Sequence, residues 1–198
     1  AIPCVRRRQV HRGIGIDVLD GLHSLVEKSL LRQRADADGE PRFWMLETIR
    51  EYALELLDEA GALAEVRRRH AEWFLAQAER ADIEARTGDQ AAWFDGLDAD
   101  NDNLRAALDW AEETRDGDLM LRLATALWGF WATRGHIAEG SRALEEALAL
   151  AGTRPAHALL GLCTLRMLRG RSEGLADDVA EALRACEELG DDYSLAQA

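Results

Sequence analysis

Lysine is almost missing: Lys28 stands alone among 24 basic residues, the rest being arginine. Arginine and alanine use GC-rich codons, so this skew reads as genome composition before it reads as function. Proline is scarce as well, three in 198 residues, which removes the main breaker of helices. The three cysteines, Cys4, Cys163 and Cys186, are odd in number and scattered. That pattern makes neither a disulfide framework nor a zinc site, and it suits a reducing cytosol. No apolar run approaches the roughly 18 residues of a membrane span, and no signal peptide is visible, so a cytoplasmic protein without a membrane partner is expected. Positive charge is also in deficit, 24 basic against 37 acidic residues for a net charge of −13. A chain so acidic repels phosphate backbones, which disfavours direct nucleic-acid binding by its surface as a whole. What remains is 47% apolar and 31% charged, rich in Ala, Leu, Glu and Arg: a cored and mostly helical protein. The chain begins at Ala1 and its last eight residues read as the opening of a helix, so a piece of a longer protein is expected.

Residues 1–16 show little periodicity and carry a basic patch, Arg6-Arg7-Arg8 and Arg12. Asp17 can cap a helix running to about Ser29, with Val18, Leu19, Leu22, Leu25 and Val26 at three-to-four spacing. The period then changes. Leu30 to Arg34 and Arg42 to Leu46 read as strands around the turn chemistry of Asp36-Ala37-Asp38-Gly39-Glu40. Two strands alone are marginal in water, so this β-hairpin, about 30–46, must pack on its flanking helices. A helix followed by a hairpin is the back end of a winged helix. From Glu47 onward every segment reads helical: about 47–60 up to Gly61, 63–86, a short helix opened by Gly88 and Asp89, one capped by Asp100 to Asn103, 119–134, 137–151, one started by Pro155, and 173–189. Val66, His70, Trp73, Phe74, Ala78 and Ala81 form the expected buried stripe of the second of these.

An internal period appears near the end. Arg134-Gly135 and Arg169-Gly170 lie 35 residues apart, as do Leu127 and Leu162, Leu144 and Val179, and Ala147 and Ala182. Helix, glycine turn, helix at this period marks a tetratricopeptide-like array, in which small residues sit where paired helices touch. Ala147, Ala182 and Cys163 are small as required; Trp128 is not, so the first pair is expected to pack more widely. The fold class is therefore mostly α: a helical-hairpin (tetratricopeptide-like) array with a small N-terminal partial winged-helix lobe carrying one β-hairpin. Residues 1–60 make the lobe, 61–115 a helical linker, and 116–198 the repeats.

Catalytic and ligand-binding motifs are largely absent. No P-loop is present, and Gly13-Ile14-Gly15 lacks both the third glycine and a preceding strand. Asp98 to Asn103 resembles the start of a calcium loop, but Asn103 stands where a glycine is needed and Asp109 where a bidentate Glu is needed; helix capping explains these carboxylates. His11, His23, His70, His136 and His157 include no i, i+4 pair, and no serine sits in a nucleophile elbow. Cys163 and Cys186 read as small core residues, as do Trp73, Trp93, Trp128 and Trp131 as large ones. Residues 89–118 hold ten acidic and two basic residues, a solvated face or a docking face for a basic partner. The expectation is a non-enzymatic, metal-free segment.

Two stretches carry a resemblance: Val18-Leu19-Asp20-Gly21-Leu22-His23-Ser24-Leu25-Val26-Glu27-Lys28-Ser29-Leu30-Leu31 and Arg42-Phe43-Trp44-Met45-Leu46-Glu47-Thr48-Ile49-Arg50-Glu51-Tyr52-Ala53. They resemble the winged-helix segment of bacterial signal-transducing NTPases of the STAND class, NB-ARC-type regulators that include LuxR-family and SARP-type transcriptional regulators. Arg67 to Phe74 and Asp102 to Ala111 resemble the helical linker of the same proteins, and Trp128 to Leu148 their first tetratricopeptide-like repeat. The resemblance implies ATP or ADP bound by an upstream domain of the same polypeptide, with no cofactor in this segment. It also implies a protein or small-molecule effector on the helical repeats. At the strand-to-helix junction, where relatives with a Met-His-Asp motif place a histidine near the nucleotide phosphate, this chain has Met45-Leu46-Glu47. Leu46 cannot donate to a phosphate. Residues 1–16 offer no counterpart to the front helices of a complete winged helix. The expected role is a sensor and scaffold segment of a transcriptional regulator. A free-standing tetratricopeptide-like adaptor and a DNA-binding winged helix with a helical dimerisation domain are the alternatives.

Overall fold

The computed structural model describes residues 5–6, 18–35, 41–87, 90–170 and 175–189. The expected cap Asp17, the turn at residues 36–40, Gly13 to Gly15, the opening at Gly88 and Asp89, and the stretch 191–196 lie outside them. The chain divides into two compact units, residues 1–67 with 100–103, and residues 68–99 with 104–198.

In the first unit, α1 (Val18–Glu27) turns Leu22, Leu25 and Val26 to partial cover. It ends through Ser29, which adopts φ 59°, while Leu30 N–H reaches back to the Leu25 carbonyl at 2.9 Å. This closure, made without glycine, releases the chain into β2 (Leu31–Ala35), which pairs antiparallel with β3 (Pro41–Met45). The register sets Leu31 opposite Met45 and Gln33 opposite Phe43. Alternation along the strands then puts Leu31 and Phe43, both buried, on one face and Arg42 on the other. The expected hairpin is present, but it is not the whole sheet. β1 (Val5–Arg6) pairs with the far edge of β3, giving the order β1-β3-β2. Two residues are too short for any alternation to show, so only pairing reveals them. Arg42 is 5% exposed, and its guanidinium meets Asp100 Oδ1 at 2.9 Å, an ion pair with little access to water. Asn103 Nδ2 donates to the same oxygen at 3.4 Å. The unit continues through α2 (Glu47–Glu59), closed by Gly61 at φ 65°.

α3 (Leu63–Thr87) contributes its residues from Arg68 onward to the second unit. Ala71, Phe74, Ala78 and Ala81 are buried there. Val66, expected in the same stripe, is 45% exposed, because it sits on the turn before α3 reaches the second unit's core. α4 (Gln90–Ala99) buries Phe94 and Leu97; α5 (Asn101–Glu113) buries Leu104, Ala107, Leu108 and Ala111. Asp116 then caps α6 (Gly117–Arg134), its carboxylate accepting from Leu119 N–H at 3.1 Å.

Gly135, at φ 83°, takes the left-handed conformation that lets α7 (Ile137–Ala151) fold back on α6. Gly170, at φ 68°, plays the same part between α8 (Ala156–Leu168) and α9 (Leu175–Leu189). The two hairpins stack: α8 lies against both α6 and α7. Leu144, Ala147 and Ala182 of the 35-residue period are completely buried. The bulk of Trp128, expected to spread the first pair, is received by the next hairpin instead. A Cβ on Gly161 of α8 would stand 2.6 Å from Trp128 Cγ, and one on Gly140 of α7 would stand 2.6 Å from Trp131 Cε3. Missing side chains in one helix thus make room for the indoles of another. Past residue 60 the described residues contain no strand.

Candidate functional site

The junction singled out from sequence is well defined and chemically sparse. Met45 ends β3, opposite Leu31. Leu46 occupies the cap position of α2 with extended backbone (φ −64°, ψ 144°), offers no side-chain hydrogen bond and is 42% exposed. Glu47 opens the helix. Arg50 donates to its carboxylate from Nη2 at 2.6 Å and from Nε at 3.2 Å, and this bond holds the carboxyl below its ordinary pKa. An anion at that helix start would meet an aliphatic side chain and a carboxylate in place of a donor.

The acidic run of residues 89–118 crosses from the second unit into the first and back, and several of its second-unit carboxylates are paired within that unit. Asp95 accepts from Arg134, Asp98 lies 3.6 Å from His136, and Asp118 lies 3.6 Å from Arg122. Arg105 forks onto Glu139 at 2.7 and 2.6 Å, lowering the Glu139 pKa below 4.5. Asp102 sits in the first turn of α5, as the capping expectation requires, but Asp98 sits at the C-terminal end of α4, where a carboxylate opposes the helix dipole, and that expectation is corrected for it. Among the described residues no group of three or more His, Cys, Asp or Glu could hold a metal ion.

Among the described residues, His70, His136 and His157 each pack against an aromatic ring. His70 tilts on Phe74 at 4.6 Å, and His136 faces Phe130 at 5.5 Å. His157 Nε2 accepts from Trp128 Nε1 at 2.9 Å, which fixes that nitrogen as unprotonated in this contact. Cys163 is 3% exposed, and burial raises its thiol pKa. The side chain of Cys186 lies outside the described residues. Trp131 is buried, while Trp73, Trp93, Trp110 and Trp128 are partly buried against the core.

A groove that sequence reasoning missed lies where α7, α8 and α9 meet. It is open to solvent, offers a volume of about 360 Å³ and is lined by Glu145, Leu148, Ala149, Arg154, Leu162, Arg166 and Asp178, with Gly152 at the turn. Asp178, 14% exposed, stands between two guanidiniums: Arg154 Nη2 donates to its Oδ1 at 2.9 Å, and Arg166 Nη1 donates to Oδ2. Arg154 Nε donates to both oxygens of Glu181 at 3.0 Å. Arg166 Nε and Nη2 both donate to Glu145 Oε1, at 3.2 and 3.0 Å. These residues come from a loop and three helices, and no spacing rule connects them.

Comparison with known proteins bears on the first unit most directly. Residues 9–58 match the winged helix-turn-helix domain family. Over 206 aligned residues the chain is 34% identical to the Mycobacterium bovis protein named "Putative HTH-type transcriptional regulator Mb0914c". The same figure holds for the Mycobacterium tuberculosis protein named "Putative HTH-type transcriptional regulator Rv0890c". This chain is similar to transcriptional regulators. The alignment covers 96% of the chain but only 23% of each relative. No solved structure matches. The winged-helix match begins at residue 9, so residues 9–16 align with that family. No helix among the described residues is long and apolar enough to cross a membrane.

Proposed function

We propose that this segment is a non-catalytic sensor and scaffold arm of a signal-transducing NTPase that regulates transcription. Its helical repeats take a protein or small-molecule effector, and ATP or ADP binds an upstream domain of the same polypeptide. The reading is carried by one observation: two stacked helical hairpins, turned at Gly135 and Gly170, in the same chain as a winged-helix match. Stacked hairpins expose extended surfaces built from several helices, the usual means by which repeat proteins hold partners. The names of the mycobacterial relatives support the regulatory setting. The resemblance of residues 18–31 and 42–53 to the winged-helix segment of such NTPases supports the NTPase setting, although Met45-Leu46-Glu47 departs from their Met-His-Asp motif and Leu46 removes the direct phosphate contact. Effector binding would act by population shift, favouring one packing of the winged-helix lobe on the nucleotide domain.

The winged-helix match itself favours a second reading, direct binding of duplex DNA. Fluorescence anisotropy of the chain with labelled duplex at low salt separates the two. The sensor reading expects no saturable binding below about 100 μM, the weak end of non-specific affinities. Submicromolar binding that falls steeply with added salt decides for DNA.

A further inference from the structure

We propose that the groove between α7, α8 and α9 binds a free α-amino acid with an apolar side chain. The proposal rests on the sensor reading and names the effector class. The four charged residues that line the groove, Arg154, Arg166, Glu145 and Asp178, sum to zero. An anion alone would approach Glu145 and Asp178, with Glu181 behind Arg154. A cation alone would approach two guanidiniums. A zwitterion avoids both costs.

Unused hydrogen-bonding capacity points the same way. Arg154 spends Nε on Glu181 and Nη2 on Asp178, which leaves the two N–H groups of Nη1 without a partner among the described residues. Its side chain is 44% exposed, so they are reachable. Guanidinium N–H groups match a carboxylate. Both Arg166 bonds to Glu145 fall on Oε1, which leaves Oε2 as an acceptor for an ammonium group. Leu148, Ala149 and Leu162 supply the apolar part of the lining. The volume, about 360 Å³, equals about a dozen waters at their liquid volume, which suits a molecule of about that many heavy atoms.

Isothermal titration calorimetry of the chain with each of the common amino acids tests this. At least one apolar amino acid should bind with a dissociation constant below about 10 mM. Its N-acetyl and its carboxamide forms should each bind at least about tenfold more weakly. Arg154→Gln and Glu145→Gln, both at exposed positions, should weaken binding by a similar factor, with circular dichroism showing the helices retained. No binding by any amino acid overturns the proposal. So does an N-acetyl form that binds equally well, which would mark an anion site, or an equally tight amide, which would mark a cation site. An empty groove leaves the sensor reading standing, because that reading is tested on transcription by the whole regulator.

Discussion

Gly161→Ala should destabilise the second unit, although alanine is the better helix former. In a helix interior the exchange by itself gains about 1 kcal/mol. At Gly161 the new Cβ would stand 2.6 Å from Trp128 Cγ and 2.9 Å from Trp128 Cβ. Those atoms are the stem of the indole, so no rotation of a flexible end relieves the clash and α6 or α8 must shift. Overpacking of this kind costs roughly 1–3 kcal/mol. Because the contact is nearer than real Cβ atoms come, the upper part of that range applies, and the net loss is about 1–2 kcal/mol. Gly129 provides the control within the same unit. A Cβ there would meet only Phe94 Cζ at 3.8 Å, an ordinary contact, so Gly129→Ala should gain about 0.5–1 kcal/mol. Urea denaturation of the two variants reads the difference directly. Equal or greater stability of Gly161→Ala relative to the parent protein would refute the claim that a missing side chain seats Trp128.

Three further outcomes follow from particular contacts. Asp100→Ala leaves the Arg42 guanidinium, 6% exposed, without that carboxylate, and should cost about 3 kcal/mol in a denaturant melt followed on the first unit. Arg105→Ala should cost about 0.5–1 kcal/mol at neutral pH, a modest figure because the Arg105 side chain is 46% exposed. Glu139 has its pKa lowered by Arg105, so the pair's contribution is present above the usual carboxyl value of 4.5; the gap between this variant and the parent should close as pH falls through the folded-state pKa, and a gap that widens in acid would contradict the assignment. Cys163, buried with a raised thiol pKa, should react with a maleimide far more slowly than an exposed thiol at pH 7.5, measured by mass spectrometry of the modified peptide.

Much of the helical architecture was legible because the signals were local and mutually consistent. Asp116 and Gly135 bracket α6 from outside, and the 35-residue spacing of Leu144, Ala147 and Ala182 placed residues that are well packed. The β2–β3 hairpin was legible from a break in helical period. Its third strand was not, because Val5 and Arg6 have meaning only as partners of Phe43 and Arg42. The stripe through α3 failed at Val66, since periodicity says which residues share a face but not where along a 25-residue helix the core begins. Trp128 was recognised as too large for the small-residue position, but its solution lies in Gly161, 33 residues away. Met45 to Glu47 stood where expected, at the strand-to-helix junction, and proved poor in donors. The groove was invisible in the sequence because Arg154, Arg166 and Asp178 come from a loop and two helices and are joined only by folding.

The central claim is that residues 116–198 convey a signal to transcription. Its most direct measurement is a transcriptome comparison, across varied growth conditions, of cells carrying the intact regulator gene and cells in which those codons are deleted. The account predicts that genes controlled by the regulator keep their expression in the deletion strain but lose their dependence on conditions. The same genes responding with undiminished amplitude in both strains would contradict it.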